Sequence, residues 1–263
     1  MPSKTLLITG VCTNGIGYET CKHILEVQRV ARVPTKWNLI LAQRDDQSHT
    51  AAKARKHLES LAQSVACSVK AYKCDLASFD SIRTFVQQIK LDVPKIDVLV
   101  LNAGAVINTR KETIDGNDMT YQVNHLGHFL LLSLLKDCID DKVIFVGSSL
   151  HKKADASATL SSVEQVGVAQ ETGFIPSSGL ARDNSRLAQI AMAWIIHYLP
   201  FARTLQQGGH TLAALAIGQE WSDLDGCYLD ADLKIERMHE DVYNKAHAQK
   251  IWDWSNATTK SDL

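Results

Sequence analysis

The sequence predicts a doubly wound α/β fold with a parallel sheet. Three observations carry that prediction: short apolar runs alternate with helix-periodic segments, a glycine-rich turn follows the first run, and polar or small residues recur where later runs end. Leu6–Ile8, Asn38–Ala42, Ser68–Tyr72, Val98–Leu101 and Val143–Val146 read as buried strands. Between them, Gly17–Val27, Thr50–Ser64, Ser78–Lys90 and Met119–Cys138 repeat apolar residues at spacings of three and four, the period of a helix with one buried face. Strand, helix and strand in repetition make crossover connections, so neighbouring strands run parallel. Pro34 makes Val30–Lys36 a loop that lengthens the first return to the sheet. No linker, repeat or low-complexity block interrupts the pattern. One domain is therefore expected over 1–263, with a core half at 1–150 and a second, shortened segment at 151–263.

Composition narrows the partners. A chain of 263 residues, 45% apolar and 22% charged, can bury a substantial core, and its net charge of -1 offers nothing general to nucleic acid or to an anionic membrane. The longest apolar stretch, Ile190–Phe201, contains His197 and is too short to span a bilayer. No basic leader with a cleavage site precedes Leu6, so a cytoplasmic protein is expected. Six cysteines without a CxxC pair argue against a zinc cluster or a disulfide framework, and fit a reducing compartment.

The turn after the first strand holds Gly10 and then Gly15-Ile16-Gly17 at the start of a helix. Glycines let backbone N–H groups approach a pyrophosphate, and the helix N-terminus adds partial positive charge. Later strand ends carry Asp75-Leu76, Asn102-Ala103-Gly104 and Ser148-Ser149, where an open α/β sheet binds its ligand. The second strand ends in Gln43-Arg44-Asp45. Arginine there suits a 2′-phosphate and favours NADP(H), whereas Asp45 leaves a ribose hydroxyl open as the alternative.

These residues resemble the short-chain dehydrogenase/reductase family, especially its retinol-dehydrogenase-like and 3-ketosteroid-reductase-like branches. The resemblance is carried by the glycine turn, "CDLASFDSIRTFV", "IDVLVLNAG", "YQVNHLGHFLLL" and "VIFVGSSLH". It implies a Rossmann-like sheet, with Gly10, Thr13, Asn14, Gly15, Ile16 and Gly17 at the pyrophosphate and Asp75 and Leu76 by the adenine. Asn102, Ala103 and Gly104 would pass under the nicotinamide-side ribose, Asn124 would be the active-site asparagine, and Ser149 would meet the substrate oxygen. His125 and His128 sit at i, i+3, but the family carries the same run without metal, so none is expected.

The sequence departs from the family in three places. Four residues, Val11, Cys12, Thr13 and Asn14, separate the first two glycines, one more than the family's turn has. No Tyr-x-x-x-Lys lies between Ser149 and the C-terminal segment, so the family's proton donor is missing. The chain is also short between Ser149 and "DGCYLD". Two alignments follow. In one, Arg182 and Arg186 stand at the tyrosine and lysine positions and the sixth strand is lost. In the other, slightly favoured, Phe174–Gly179 is the sixth strand and its turn, Ser185–Phe201 a substrate-covering helix, and Leu160–Gln170 a shrunken crossover helix. Arginine can steady an oxyanion but does not readily donate a proton, while His151 could.

The reading with most support is an NADPH-dependent reductase acting on an activated C=N or C=O of a bulky apolar small molecule, by analogy with short-chain reductases of specialised metabolism. A non-redox cyclase or isomerase on the same scaffold, or a silent NADPH-binding protein, are the alternatives. The sequence leaves a homo-oligomer open.

Overall fold

Alternation along the first strand fixes the layering. The structure, a computed structural model, describes residues 3–107, 109, 111–148, 168–171, 203–238 and 240–260. In β1 (Ser3–Thr9), Leu6 and Ile8 enter the core on one side of the sheet and Leu7 the core on the other, all fully buried. α1 (Ile16–Val30) covers the first side and leads into β2 (Lys36–Gln43); α2 (His49–Gln63) covers the same side and leads into β3 (Ser68–Lys73). α3 (Phe79–Asp92) crosses to the opposite side before β4 (Ile96–Leu101), where Val98 and Val100 face one core and Leu99 and Leu101 the other. Both faces are covered, so the strands read as continuous apolar runs.

The fourth helical segment is three pieces: α4 (Met119–Tyr121), a π-helical turn (Gln122–Leu126) and α5 (Gly127–Leu135), which packs beside α3. β5 (Ile139–Gly147) follows, then β6 (Val168–Glu171), α6 (Leu205–Ile217), β7 (Tyr228–Leu229), β8 (Ile235–Glu236) and α7 (Lys245–Thr259). The sheet order is β3-β2-β1-β4-β5-β6-β7-β8, with only β7–β8 antiparallel. This is the Rossmann-like α/β architecture that the strand-helix alternation predicts.

The sixth strand corrects the expected alignments. It lies at Val168–Glu171, paired to β5 through Ile144–Val168 and to β7 through Ala169–Tyr228. The strand is therefore not lost, nor is it Phe174–Ile175, and the last residues of the expected helix Leu160–Gln170 are extended. The physical reason is the hydrogen-bond ladder: Val168–Glu171 runs parallel to β5 over Ile144–Gly147 and to β7 over Tyr228–Leu229, which fills the place between them. Phe174–Gly179 and Ser185–Phe201 lie outside the described residues.

Helix ends are closed by specific groups. Ser48, Ser78, Asp118 and Asn244 cap helix N-termini through their side chains, and Thr204 forms a capping box with Gln207. Buried Lys142 donates Nζ to the carbonyls of Leu215 and Gly218 at the end of α6, at 3.4 and 2.9 Å, where the helix is electronegative. Arg83 does the same for α7 through Thr259 and Lys260.

α1 and α6 meet at Gly209. A Cβ there would lie 2.4 Å from Glu19 Cβ and 2.9 Å from the Thr20 nitrogen, so relief requires a backbone shift. Gly209→Ala is expected to cost about 1–3 kcal/mol and to lower the melting temperature by roughly 2–10 °C, as a thermal melt followed by circular dichroism will show.

Candidate active site

The first strand delivers the chain into a turn with no room for a side chain at Gly10 and Gly17. Gly10 has φ +76°, and a Cβ on it would lie 2.7 Å from Ala103 Cα. Gly17 is pressed against Asn102 Nδ2, 2.8 Å from where its Cβ would stand, and against the Gly10 carbonyl at 3.0 Å. The extra residue of this turn is absorbed locally. Gly15 N–H closes back on the Cys12 carbonyl at 3.1 Å and Asn14 takes a left-handed conformation, φ 63°, which asparagine tolerates. Thr13 N–H ties the loop to Thr50 at the start of α2, at 3.3 Å. The first-turn N–H groups of Ile16 and Gly17 have no carbonyl of their own helix to receive them. Glycine backbone and helix N-terminus thus form the kind of bare, electropositive cradle that a pyrophosphate fits.

The other strand ends gather around it. Gln43 at the end of β2 is buried and donates to the Val11 carbonyl at 2.6 Å, bracing the turn from below. Next to it Arg44 is exposed and has no hydrogen bond or ion pair among the described residues, while Asp45 spends one carboxylate oxygen on Gln47 N–H at 3.1 Å. Asp75 after β3 accepts from Ala77 N–H and takes the Ser81 hydroxyl on its own N–H, both at 3.0 Å, and Leu76 is buried in the core. Leu76 presses on Gly127, whose Cβ would stand 2.7 Å from the Leu76 carbonyl. Only glycine lets α5 approach the β3 end so closely.

Asn102, Ala103 and Gly104 follow β4. Asn102 Nδ2 donates to the carbonyls of Thr9 and Gly10, at 2.7 and 3.2 Å, so its side chain splices β4 to β1 beneath the cradle. Asn124, in the π-turn, uses both ends of its amide on Ala105: Oδ1 accepts from the Ala105 N–H and Nδ2 donates to its carbonyl, each at 2.8 Å. A π-turn adds a residue to a helix, and such turns recur at functional sites. Ser149, Arg182, Arg186 and His151 lie outside the described residues.

Thr9, which the motif reading passed over, sits at the centre. Its hydroxyl oxygen accepts from the N–H groups of both Asn102 and Ala103 at 2.9 Å, so its proton points to His128 Nε2, 3.1 Å away. His128 Nδ1 then carries the ring proton and faces the Asn124 carbonyl at 3.3 Å. The only signal for it in the sequence is a hydroxyl residue at a strand end directly before the first glycine. His125 Nε2 pairs with the buried Ser255 hydroxyl on α7 at 2.9 Å. Burial holds both histidines well below the ordinary range, at about 4, and the nearby His128 depresses His125 further.

The family model described as short chain dehydrogenase matches residues 4–160. Human polyprenol dehydrogenase is 25% identical over 297 residues, covering 97% of this chain and 84% of its own length. Human retinol dehydrogenase 13 is 33% identical over 230 residues, covering 85% of this chain and 61% of its own. Among solved structures, a blue fluorescent protein from a metagenomic library in complex with NADPH aligns with TM-score 0.60 at 18% identity, over 88% of this chain and 96% of that one. The family match and the dehydrogenase relatives place the chain among the oxidoreductases. The chain belongs to the short chain dehydrogenase family, in its retinol-dehydrogenase-like branch, and its reaction class is NAD(P)-dependent oxidoreduction. Among the described residues no helix is long and apolar enough to cross a membrane.

The two buried histidines set an acid limit. Unfolded, each takes up a proton near pH 6.5, and folded only near 4, so unfolding binds protons throughout that window. Stability is full above pH 6.5 and falls as pH drops towards 4, by about 1.4 kcal/mol per pH unit for each histidine. Urea denaturation midpoints measured from pH 7.5 to 4.5 are expected to decline below 6.5, with a shallower slope in His128→Gln.

Proposed function

We propose that this chain is an NADPH-dependent reductase that reduces an activated C=N or C=O of a bulky apolar substrate without a tyrosine acid. One observation carries the reading: the glycine cradle is kept, down to positions with no room for a Cβ, in a sequence that has no Tyr-x-x-x-Lys between Ser149 and its C-terminal segment. The bound nucleotide would supply hydride.

On this reading Gly10, Thr13, Asn14, Gly15, Ile16 and Gly17 hold the pyrophosphate through backbone N–H groups and two polar side chains. Arg44 meets the 2′-phosphate; its exposure, and the use of Asp45 within its own turn, support NADPH over NADH. Asp75 and Leu76 border the adenine. Asn102, Ala103 and Gly104 border the nicotinamide-side ribose. Asn124 acts as a positioning residue, because each end of its amide bonds Ala105 and holds the backbone just after Gly104. Ser149 orients the substrate's acceptor group, and Arg182 and Arg186 supply fixed positive charge to it.

The chemistry fits the missing acid. Hydride added to an iminium carbon gives a neutral amine, and no proton is needed. Hydride added to a carbonyl leaves an alkoxide, which arginine stabilises until water or His151 protonates it. The names of the curated relatives, polyprenol and retinol dehydrogenases, support an apolar substrate.

The test is titration with NADPH and with NADH by nicotinamide fluorescence, followed by absorbance assays with cyclic iminium and ketone substrates. NADPH-selective binding, weakened roughly tenfold or more in Arg44→Ala with NADH affinity little changed, together with substrate-dependent loss of NADPH, is the expected outcome. Absence of binding to either nucleotide overturns the reading; substrate conversion without NADPH loss moves it to the non-redox alternative.

A further inference from the structure

The packing of α6 on α1 brings together three side chains remote from the nucleotide cradle in sequence role. His23 and Glu26 lie one turn apart on α1, and His210 comes from α6 beside Gly209. His23 Nδ1 is 3.9 Å from Glu26 Oε2, and one ligand atom from each of the three residues falls within 4.8 Å of the others. The two imidazoles stack, with centroids 3.8 Å apart and planes 25° from parallel, so the rings must turn out of the stack before both aim a nitrogen lone pair at one ion.

We propose that His23, Glu26 and His210 form a binding site for a borderline divalent transition-metal ion of the Zn²⁺ class, clamping α1 to α6. Two imidazoles and a carboxylate are the donor set such ions select, with the remaining position left to water. Tetrahedral zinc with nitrogen and oxygen ligands needs donor atoms roughly 3.3 Å apart. Closing from the present spacing, within 4.8 Å, calls for side-chain rotation between two helices whose backbones meet at Gly209.

Electrostatics agree. The Glu26 carboxylate lies beside His23 and supplies the negative charge that favours a cation there. The cation that acts on His23 is its neighbour Lys22, whose Nζ is turned to Glu19 at 3.4 Å. The side chains of His23 and Glu26 keep 28% and 42% of their exposure and His210 is exposed, so an ion enters from solvent without unfolding anything. Calcium and magnesium ask for more oxygen donors than the site offers.

Metal-free protein titrated calorimetrically with ZnCl₂, and melted with increasing ZnCl₂, MgCl₂ or CaCl₂, tests this site. One equivalent of zinc should bind, with a melting temperature that climbs with zinc concentration and does not respond to magnesium or calcium. His210→Ala, at an exposed position, and the near-isosteric Glu26→Gln should each weaken zinc binding roughly tenfold or more while leaving the metal-free circular dichroism and melting temperature unchanged. Zinc binding that these variants leave intact would place the ion on other histidines or cysteines and overturn the proposal. So would the lack of saturable binding below millimolar zinc.

Discussion

The hydroxyl of Thr9 joins three elements at one oxygen. It receives two backbone N–H groups from the end of β4 and gives its proton to His128 at the start of α5. That arrangement fixes the spacing between β1 and β4 where the glycine turn departs, and it dictates the histidine tautomer. Asn102 adds a second splice between the same strand ends, and Gly17 fits over it with no atom to spare. The cradle is thus less a flexible loop than the upper surface of a hydrogen-bonded junction.

Beside the junction, the π-turn does a related task. The residue it adds lets Asn124 present both ends of its amide to Ala105 while its own carbonyl turns to His128. Asn124 and Thr9 therefore brace opposite sides of the Asn102–Ala105 segment. On the proposed reading, with no Tyr-x-x-x-Lys between Ser149 and the C-terminal segment, this scaffold serves chemistry that depends on where the reactants are held more than on proton supply.

How far the sequence reveals this follows the range of the interactions. The five strands and the helices between them are legible because each buries a face, and burial writes a pattern into the chain: the short run Leu6-Leu7-Ile8, ending in a glycine turn, fits a strand covered on both sides. The glycine turn was legible because its constraint is backbone geometry. The π-turn was not, since one added residue within Met119–Cys138 scarcely disturbs a helical period. The sixth strand was misplaced because Val168–Glu171 is only four residues long and takes its identity from its two neighbours. The Thr9–His128 bond joins residues 119 positions apart, and the meeting of His23 with His210 depends on how α6 docks; no local pattern records either.

β3 forms one border of the sheet, with Lys70 and Lys73 exposed along it. An uncovered border is an invitation for a second sheet to continue the hydrogen-bond ladder, and two ammonium groups on six residues oppose it by repulsion and by the cost of stripping their water. Stacking of copies border to border into extended fibres is disfavoured on that side without any loss to the fold, because neither lysine contributes to the core.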